Sequence, residues 1–284
     1  MEPIGVIGLG LMGSALSERL RAAGHNLVGF DVREVRTTFP GEVKESAREV
    51  FDATRMVVLS LPNSDVVAEV LLESQPIRNG TMILDTTTGD PDMAAAIGLE
   101  LSNQGVDYLD ATLTGSSREA RAGQLVITAG GRERAFEAAV PLFRTFAKQW
   151  FRMGLWGTGS RAKLAINLVL GLNRAVLAEG LSFAKAYGLD PRTMLDVLRS
   201  GAAYSRAMDV KGPKMLDADF TPEARLAQHH KDVKLILAAA RGCGAATPLS
   251  AAHEELLASL VDRGLGELDN SAVIRAFEPA ADSA

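Results

Sequence analysis

The chain has 284 residues, 47% hydrophobic and 23% charged, enough apolar material for the cores of about two domains at ~150 residues each. Thirty basic residues against 35 acidic ones leave a net charge of -5, which argues against a general nucleic-acid binder needing a basic face to displace counterions from phosphates. The single cysteine, Cys243, excludes an internal disulfide and a thiolate cluster for zinc or iron–sulfur, and suits a reducing compartment such as the cytoplasm. No stretch reaches the ~18 to 20 uninterrupted apolar residues of a membrane span. The opening Met1-Glu2-Pro3-Ile4 has neither the basic region nor the cleavage site of a signal peptide, so neither membrane nor nucleic acid is expected as a partner.

Along the chain, strands are expected at residues 4–7, 26–30, 56–61, 82–84, 108–111, 124–128 and 149–153, with a helix at 12–23 and helical stretches between the later strands. Strand–helix alternation at this spacing means βαβ units and a parallel sheet. Continuous apolar runs such as Met56-Val57-Val58-Leu59 suit strands covered on both faces. From about Ser160 no further strand is expected. Residues 160–187 read as one helix of ~40 Å, with Leu164, Leu168, Leu172 and Val176 four apart and Gly188 at its end. Asp190-Pro191, Thr221-Pro222 and Thr247-Pro248 each pair an N-cap residue with a proline suited to the first helical position. The last two helices are expected to end near Gly242 and Gly264. The small, polar residues 279–284 are expected to fray. The reading is therefore an α/β, Rossmann-type doubly wound parallel sheet over residues 1–159, followed by an all-α domain over 160–284. The boundary falls near Gly157 and Gly159.

Gly8-Leu9-Gly10-Leu11-Met12-Gly13 is a G-x-G-x-x-G that follows an apolar strand and opens an amphipathic helix. The first glycine makes the turn, the second lets a pyrophosphate approach the backbone, and the third lets helix and strand pack closely. Asp31 follows Gly13 by eighteen residues, at the end of the second strand, where a carboxylate accepts from both ribose hydroxyls of NAD and repels the 2′-phosphate of NADP. Arg33 could receive that phosphate, so NAD is expected with NADP kept open. The plainer reading is a structural turn with Asp31 as a strand-end cap.

The sequence resembles the β-hydroxyacid dehydrogenase family over nearly its whole length. The likeness begins at Gly5-Val6-Ile7-Gly8-Leu9-Gly10-Leu11-Met12-Gly13 and continues through Leu61-Pro62, Asp85-Thr86-Thr87-Thr88 and Asp110-Ala111-Thr112-Leu113-Thr114-Gly115-Ser116 with Gly123. It then takes in Gly157-Thr158-Gly159 with Lys163 and Asn167, Lys231-Asp232, and Leu268-Asp269-Asn270-Ser271-Ala272. The resemblance implies that Leu61 and Pro62 line the cofactor, that Thr88 contacts its nicotinamide half, and that Lys231 closes over it. It implies that Thr114, Gly115 and Ser116 form the substrate loop, Lys163 is catalytic and Asn167 binds substrate. It also implies a homodimer or homotetramer built through the helical domain.

Lys163 and Asn167, four apart, share a helix face where the two domains are expected to join, a usual place for a pocket. A lysine can give or take the proton that accompanies hydride transfer at an alcohol carbon, and an asparagine can orient the oxygen. A lone lysine on a helix is otherwise a solvated surface group, Asn167 could pin helix to loop, Thr114 and Ser116 could be turn formers, and Lys231 could pair with Asp232. Two departures stand out: Ile166 where the family often has a second asparagine, and Thr-Gly-Ser-Ser in place of Ser-Gly-Gly. They point to a substrate other than 3-hydroxyisobutyrate. The expected activity is transfer of a hydride between NAD(H) and a small 3-hydroxy acid or its semialdehyde. An imine or aldehyde reductase and a non-catalytic dinucleotide-binding module are the alternatives. His25, His229, His230 and His253 make no metal-ligand pattern, and no metal is expected.

Overall fold

The structure, a computed structural model, describes residues 2–33 and 39–278; the expected fraying of 279–284 lies outside them. The chain forms two compact units, Met1–Lys163 and Leu164–Ala284.

The first unit runs β1 (Ile4–Ile7), α1 (Leu11–Ala22), β2 (Leu27–Phe30), β3 (Glu42–Val43), α2 (Ala47–Ala53), β4 (Met56–Leu59) and α3 (Ser64–Glu73). It continues with β5 (Met82–Asp85), α4 (Pro91–Asn103), β6 (Asp107–Thr114), α5 (Ser117–Arg121), β7 (Leu125–Gly130), α6 (Glu133–Phe146) and β8 (Ala147–Gly154). One eight-stranded sheet results, in the order β3-β2-β1-β4-β5-β6-β7-β8. Strand order reverses between β1 and β4, the switch point beside which doubly wound sheets bind ligands.

One expectation needs correcting. The sheet is not wholly parallel, because β7 runs antiparallel to β6, with Thr112 opposite Thr128. The link between them holds only the five-residue α5. A parallel crossover needs a dozen or more residues, so this link can only turn back.

Both faces of the sheet are covered, as continuous apolar strands require. Val6, Val58, Leu84 and Leu109 face a core with Leu16, Leu20, Ile127 and Phe143. Their strand neighbours Ile7, Leu59, Ile83 and Tyr108 face the opposite core with Val50, Val67 and Leu101. Alternate residues of one strand thus serve two cores. Each such fully buried side chain contributes about 1.5–3 kcal/mol.

α7 (Thr158–Ala186, 29 residues) starts in the first unit and leads into the second. By length and composition it could cross a bilayer, which the search for an uninterrupted apolar run overlooked. Here its Leu177, Ala178 and Leu181 belong to the core of the helical unit, with Leu195, Leu226, Val233 and Leu257. There follow α8 (Pro191–Ser200), α9 (Arg206–Val210), α10 (Gly212–Asp217), α11 (Leu226–Cys243), α12 (Pro248–Asp262) and a 3₁₀ turn, Asn270–Ala276. Among the described residues this unit has no strand, only an isolated bridge between Arg225 and Asp269.

Asp190 caps α8 as its proline partner suggests, accepting from the Thr193 N–H at 2.8 Å. Thr221-Pro222 does not start α11, which begins at Leu226. The backbone N–H groups of Glu223 and Ala224 instead donate to Asp269, at 3.0 and 3.2 Å. α11 ends at Cys243, near Gly242 as expected, where Gly244 takes the left-handed conformation that closes a helix (φ 74°).

Candidate active site

The glycine turn between β1 and α1 is built as the motif requires. Gly8 has φ 91°, and a Cβ there would lie 2.3 Å from the Ser60 carbonyl oxygen. A Cβ on Gly13 would lie 1.9 Å from the Gly8 carbonyl oxygen, so only glycine lets this helix meet this strand. At Gly10 a Cβ would approach only the tip of Arg33, at 3.3 Å, which leaves the backbone open to a bulky group. No side chain caps α1 at Gly10, so its first N–H groups, over Leu11 and Met12, keep their capacity for an anion. The turn fits a dinucleotide diphosphate.

Asp31, leaving β2, accepts from the Leu9 N–H at 2.8 Å and ties the acid to the turn. Arg33 holds the same carboxylate with its backbone N–H at 2.9 Å and two guanidinium nitrogens at 3.2 Å each. Partial burial works to raise the Asp31 pKa, but the Arg33 bonds, the Leu9 bond and the Arg33 charge outweigh it and hold the carboxyl below its ordinary value.

The loops after β4 and β5 open from the same sheet edge, where Ile7, Leu59, Asp85 and Asp110 are register neighbours. Thr87 Oγ1 accepts from the Leu61 N–H at 3.1 Å, and the Thr87 N–H donates to Asp85 at 2.9 Å. Asp85 also accepts from the Tyr108 hydroxyl at 2.7 Å. Leu61 and Thr88 thus flank a loop pair braced from below, and Pro62 is exposed. Burial is the main cause that lifts the Asp85 pKa to about 6, against the bonds from Thr87 and Tyr108.

Lys163 is only 7% exposed, and its Nζ donates to the Leu113 carbonyl oxygen at 2.5 Å. A buried amine held by one carbonyl is no solvated surface lysine. Next along β6, the Thr114 hydroxyl is buried with no hydrogen-bond partner. Gly115 turns the chain at φ 134°, where a Cβ would strike Leu125 at 2.6 Å. Ser116 is the N-cap of α5 in a reciprocal box: its Oγ accepts from the Glu119 N–H at 3.4 Å, and its N–H donates to Glu119 at 2.9 Å.

In the helical unit, Asn167 is 6% exposed and its Nδ2 donates to Asp232 Oδ2 at 2.9 Å. Lys231 Nζ lies 3.2 Å from the other oxygen of that carboxylate. One turn beyond Asn167, Gly171 admits His229 so closely that a Cβ would lie 2.5 Å from its Nε2. The His229 and His253 rings stand 5.3 Å apart, and His230 meets Glu254 at 2.7 Å. Burial first, then the charges of Arg174 and His230, depress the His253 pKa to about 4, so it is neutral at pH 7. Among the described residues no three His, Cys, Asp or Glu side chains are grouped to hold a metal.

The structure therefore gathers Gly8, Gly10, Leu11, Met12, Gly13 and Asp31 around one turn, Leu61 and Thr88 on braced loops, and Lys163 with Thr114 at the end of β6. Asn167 and Lys231 share a carboxylate in the other unit. The reading of the chain missed Asp85, Tyr108 and Asp110 beneath these groups, and Asp232 beside Asn167. The first three had a signal: a polar or charged residue inside, or ending, an otherwise apolar strand.

A dinucleotide turn with its acid, joined in one chain to a buried lysine, defines a nicotinamide-dependent oxidoreductase. Residues 3–154 match the profile described as the NAD binding domain of 6-phosphogluconate dehydrogenase. Residues 157–277 match that described as NAD-binding of NADP-dependent 3-hydroxyisobutyrate dehydrogenase. The chain is 32% identical to 2-hydroxy-3-oxopropionate reductase of Escherichia coli (strain K12), over 97% of each chain. It is 31% identical to 2-(hydroxymethyl)glutarate dehydrogenase of Eubacterium barkeri, over 97% of this chain and 94% of that one. The solved structure of Mycobacterium tuberculosis 3-hydroxyisobutyrate dehydrogenase with L-serine superposes with a TM-score of 0.87 at 27% identity, covering 98% of this chain and 100% of the other. The chain belongs to the β-hydroxyacid dehydrogenase family and is an NAD(P)-dependent hydroxyacid dehydrogenase.

Proposed function

We propose that this chain interconverts a small 3-hydroxy acid and its semialdehyde, with Lys163 as general acid and base. The observation that carries the reading is the buried Lys163 amine on the Leu113 carbonyl, next in the chain to Thr114, whose buried hydroxyl has no hydrogen-bond partner. The dinucleotide, when bound, supplies or accepts the hydride. Gly8, Gly10, Leu11, Met12 and Gly13 would hold its diphosphate, Asp31 its adenine ribose, Leu61, Pro62 and Thr88 its nicotinamide half, and Lys231 would add a cation. In reduction the Lys163 ammonium gives its proton to the carbonyl oxygen; in oxidation the amine takes the hydroxyl proton. Asn167 donates to the same oxygen, its amide kept in one orientation by Asp232. The substrate carboxylate goes to Thr114 and the backbone turn at Gly115 and Ser116. Because the Ser116 hydroxyl and N–H already serve Glu119, Thr114 carries more of that task. Similarity to 2-hydroxy-3-oxopropionate reductase favours a short acid.

NAD is the preferred cofactor in this reading, since a carboxylate held ionised at Asp31 repels a 2′-phosphate. NADP is the second reading. It rests on the Arg33 guanidinium, which lies beside Gly10 and could turn from Asp31 to that phosphate.

α7 leaves Val169, Val176 and Phe183 exposed at seven-residue intervals, and Tyr187, just past its end, stacks on Phe183 at 5.7 Å. Such a stripe suits association of copies into a homodimer or homotetramer. Light scattering of the wild type and Phe183→Glu tests this, with an unchanged mass counting against the stripe.

The decisive experiment is a screen of C3 to C6 hydroxy acids and semialdehydes with both cofactors, beside Lys163→Ala. That variant should keep nucleotide affinity and lose ~100-fold or more in rate. Turnover indifferent to the acid group would favour an aldehyde or imine reductase. Nucleotide binding without any hydride transfer would favour a non-catalytic module.

A further inference from the structure

We propose that Asp110 is a positioning residue for the reaction: it clamps the N-terminus of α7 to β6 and so fixes where the Lys163 amine stands. The inference rests on the reading of Lys163 as the acid–base group.

A long helix begins with backbone N–H groups that lack partners within it. α7 has no acidic residue in its first turn to serve them. Asp110, buried on β6, does so from a distance in sequence. One carboxylate oxygen accepts from the Gly157 N–H at 3.0 Å, the other from the Ser160 N–H at 2.8 Å. Both oxygens are thereby committed to one helix end, where the aligned peptide dipoles favour negative charge. Two residues along the strand, Thr112 Oγ1 lies 3.2 Å from the Gly159 carbonyl oxygen, to which it donates. One residue further, the Leu113 carbonyl takes Lys163 Nζ. A single strand thus holds the helix start and the amine it carries.

The surroundings leave this clamp no slack. A Cβ on Gly159 would lie 2.1 Å from the Asp110 carbonyl oxygen, and one on Gly130 would lie 2.4 Å from its carboxylate. Strand and helix meet here backbone to backbone. Ser160 and Lys163 are three residues apart, ~4.5 Å along the axis, so a shift at the clamp passes to the amine almost undiminished. A misplacement of ~1 Å at a reacting group can cost about 100-fold in rate. The ionisable groups interacting with Asp110 here are its register neighbour Asp85 on β5 and Tyr108, two residues back on β6, whose hydroxyl donates to Asp85.

The test uses the full chain and measures NADH affinity, kcat, KM and melting temperature of Asp110→Asn, Thr112→Val and Lys163→Ala. In Asp110→Asn one oxygen becomes an NH₂ that faces an N–H. Its kcat should fall about 10- to 100-fold. NADH affinity should stay within about twofold, because the glycine turn lies elsewhere, and substrate KM should change little. A merely structural clamp would lower the melting temperature and leave kcat in place. If Asp110→Asn folds with wild-type kcat while Lys163→Ala is inactive, the inference fails alone. If Asp110→Asn does not fold, Thr112→Val decides: a several-fold fall in kcat at unchanged NADH affinity supports the clamp, and wild-type kinetics overturn it. Activity retained in Lys163→Ala removes the reading of Lys163, and this inference with it.

Discussion

The two units bury carboxylates by different means. In the sheet unit, Asp85 ends β5 and Asp110 lies within β6, and both are satisfied by neutral donors: the Thr87 N–H and the Tyr108 hydroxyl for one, the Gly157 and Ser160 N–H groups for the other. In the helical unit, Asp269 holds Lys211 at 2.7 and 3.0 Å as well as backbone N–H groups, and Asp232 holds Lys231 as well as Asn167. Sheet edges and helix starts supply backbone donors freely. Inside α11 the backbone N–H groups are already spent on i−4 carbonyls, so Asp232 recruits side-chain donors, whereas Asp269, capping the 3₁₀ turn, adds the Lys211 ammonium to its backbone donors.

That difference sets unequal costs, and substitutions expose them. The largest stability loss should come from Asp269→Asn, which leaves Lys211 buried without its counter-charge; breaking such a pair costs about 3–5 kcal/mol. Urea denaturation checks this, and a loss below that of Asp110→Asn would contradict the contrast. Burial works to raise the Asp269 pKa, but the Lys211 charge and bonds overcome it and hold the carboxyl below its ordinary value. With a folded pKa depressed in this way, the stability Asp269 contributes is present above the unfolded carboxyl pKa of ~3.9 and is lost as pH falls through the folded value.

Asp85 behaves oppositely. Its folded pKa is raised to about 6, so the fold disfavours its ionised form, and the wild type should become less stable as pH rises from 4 through 6. The swing is about 3 kcal/mol at most. Asp85→Asn should flatten that dependence between about pH 4 and 6, so that the variant compares best with the wild type above pH 6. Equal pH dependence in both proteins would mean that Asp85 ionises freely in the fold.

Smallest in effect is Ser116→Ala, which removes the α5 cap and should cost about 1 kcal/mol. Substrate KM should then change less than in Thr114→Val, since the Ser116 hydroxyl is already engaged by Glu119. A larger rise in KM for Ser116→Ala would return that hydroxyl to the substrate.

Much of the site was legible because its signals are local. The glycine turn, the Asp190-Pro191 start and the spacing of Lys163 and Asn167 each depend on a few adjacent residues. Thr221-Pro222 carries the same local signal as Asp190-Pro191, yet Asp269 draws the next N–H groups away and the helix waits until Leu226. Ser116 reads equally well as a substrate contact or a cap until Glu119 is seen to close on it.

The sequence by itself determined the α/β and all-α halves, the dinucleotide turn and the lysine helix, because hydrophobic period and glycine stereochemistry act over neighbouring residues. Only the tertiary structure decided that β7 turns back, that Asn167 leans on Asp232, and that Asp110 seats α7. The last two rest on bonds between residues about 50 or more positions apart, and such pairings leave no periodic trace in the chain.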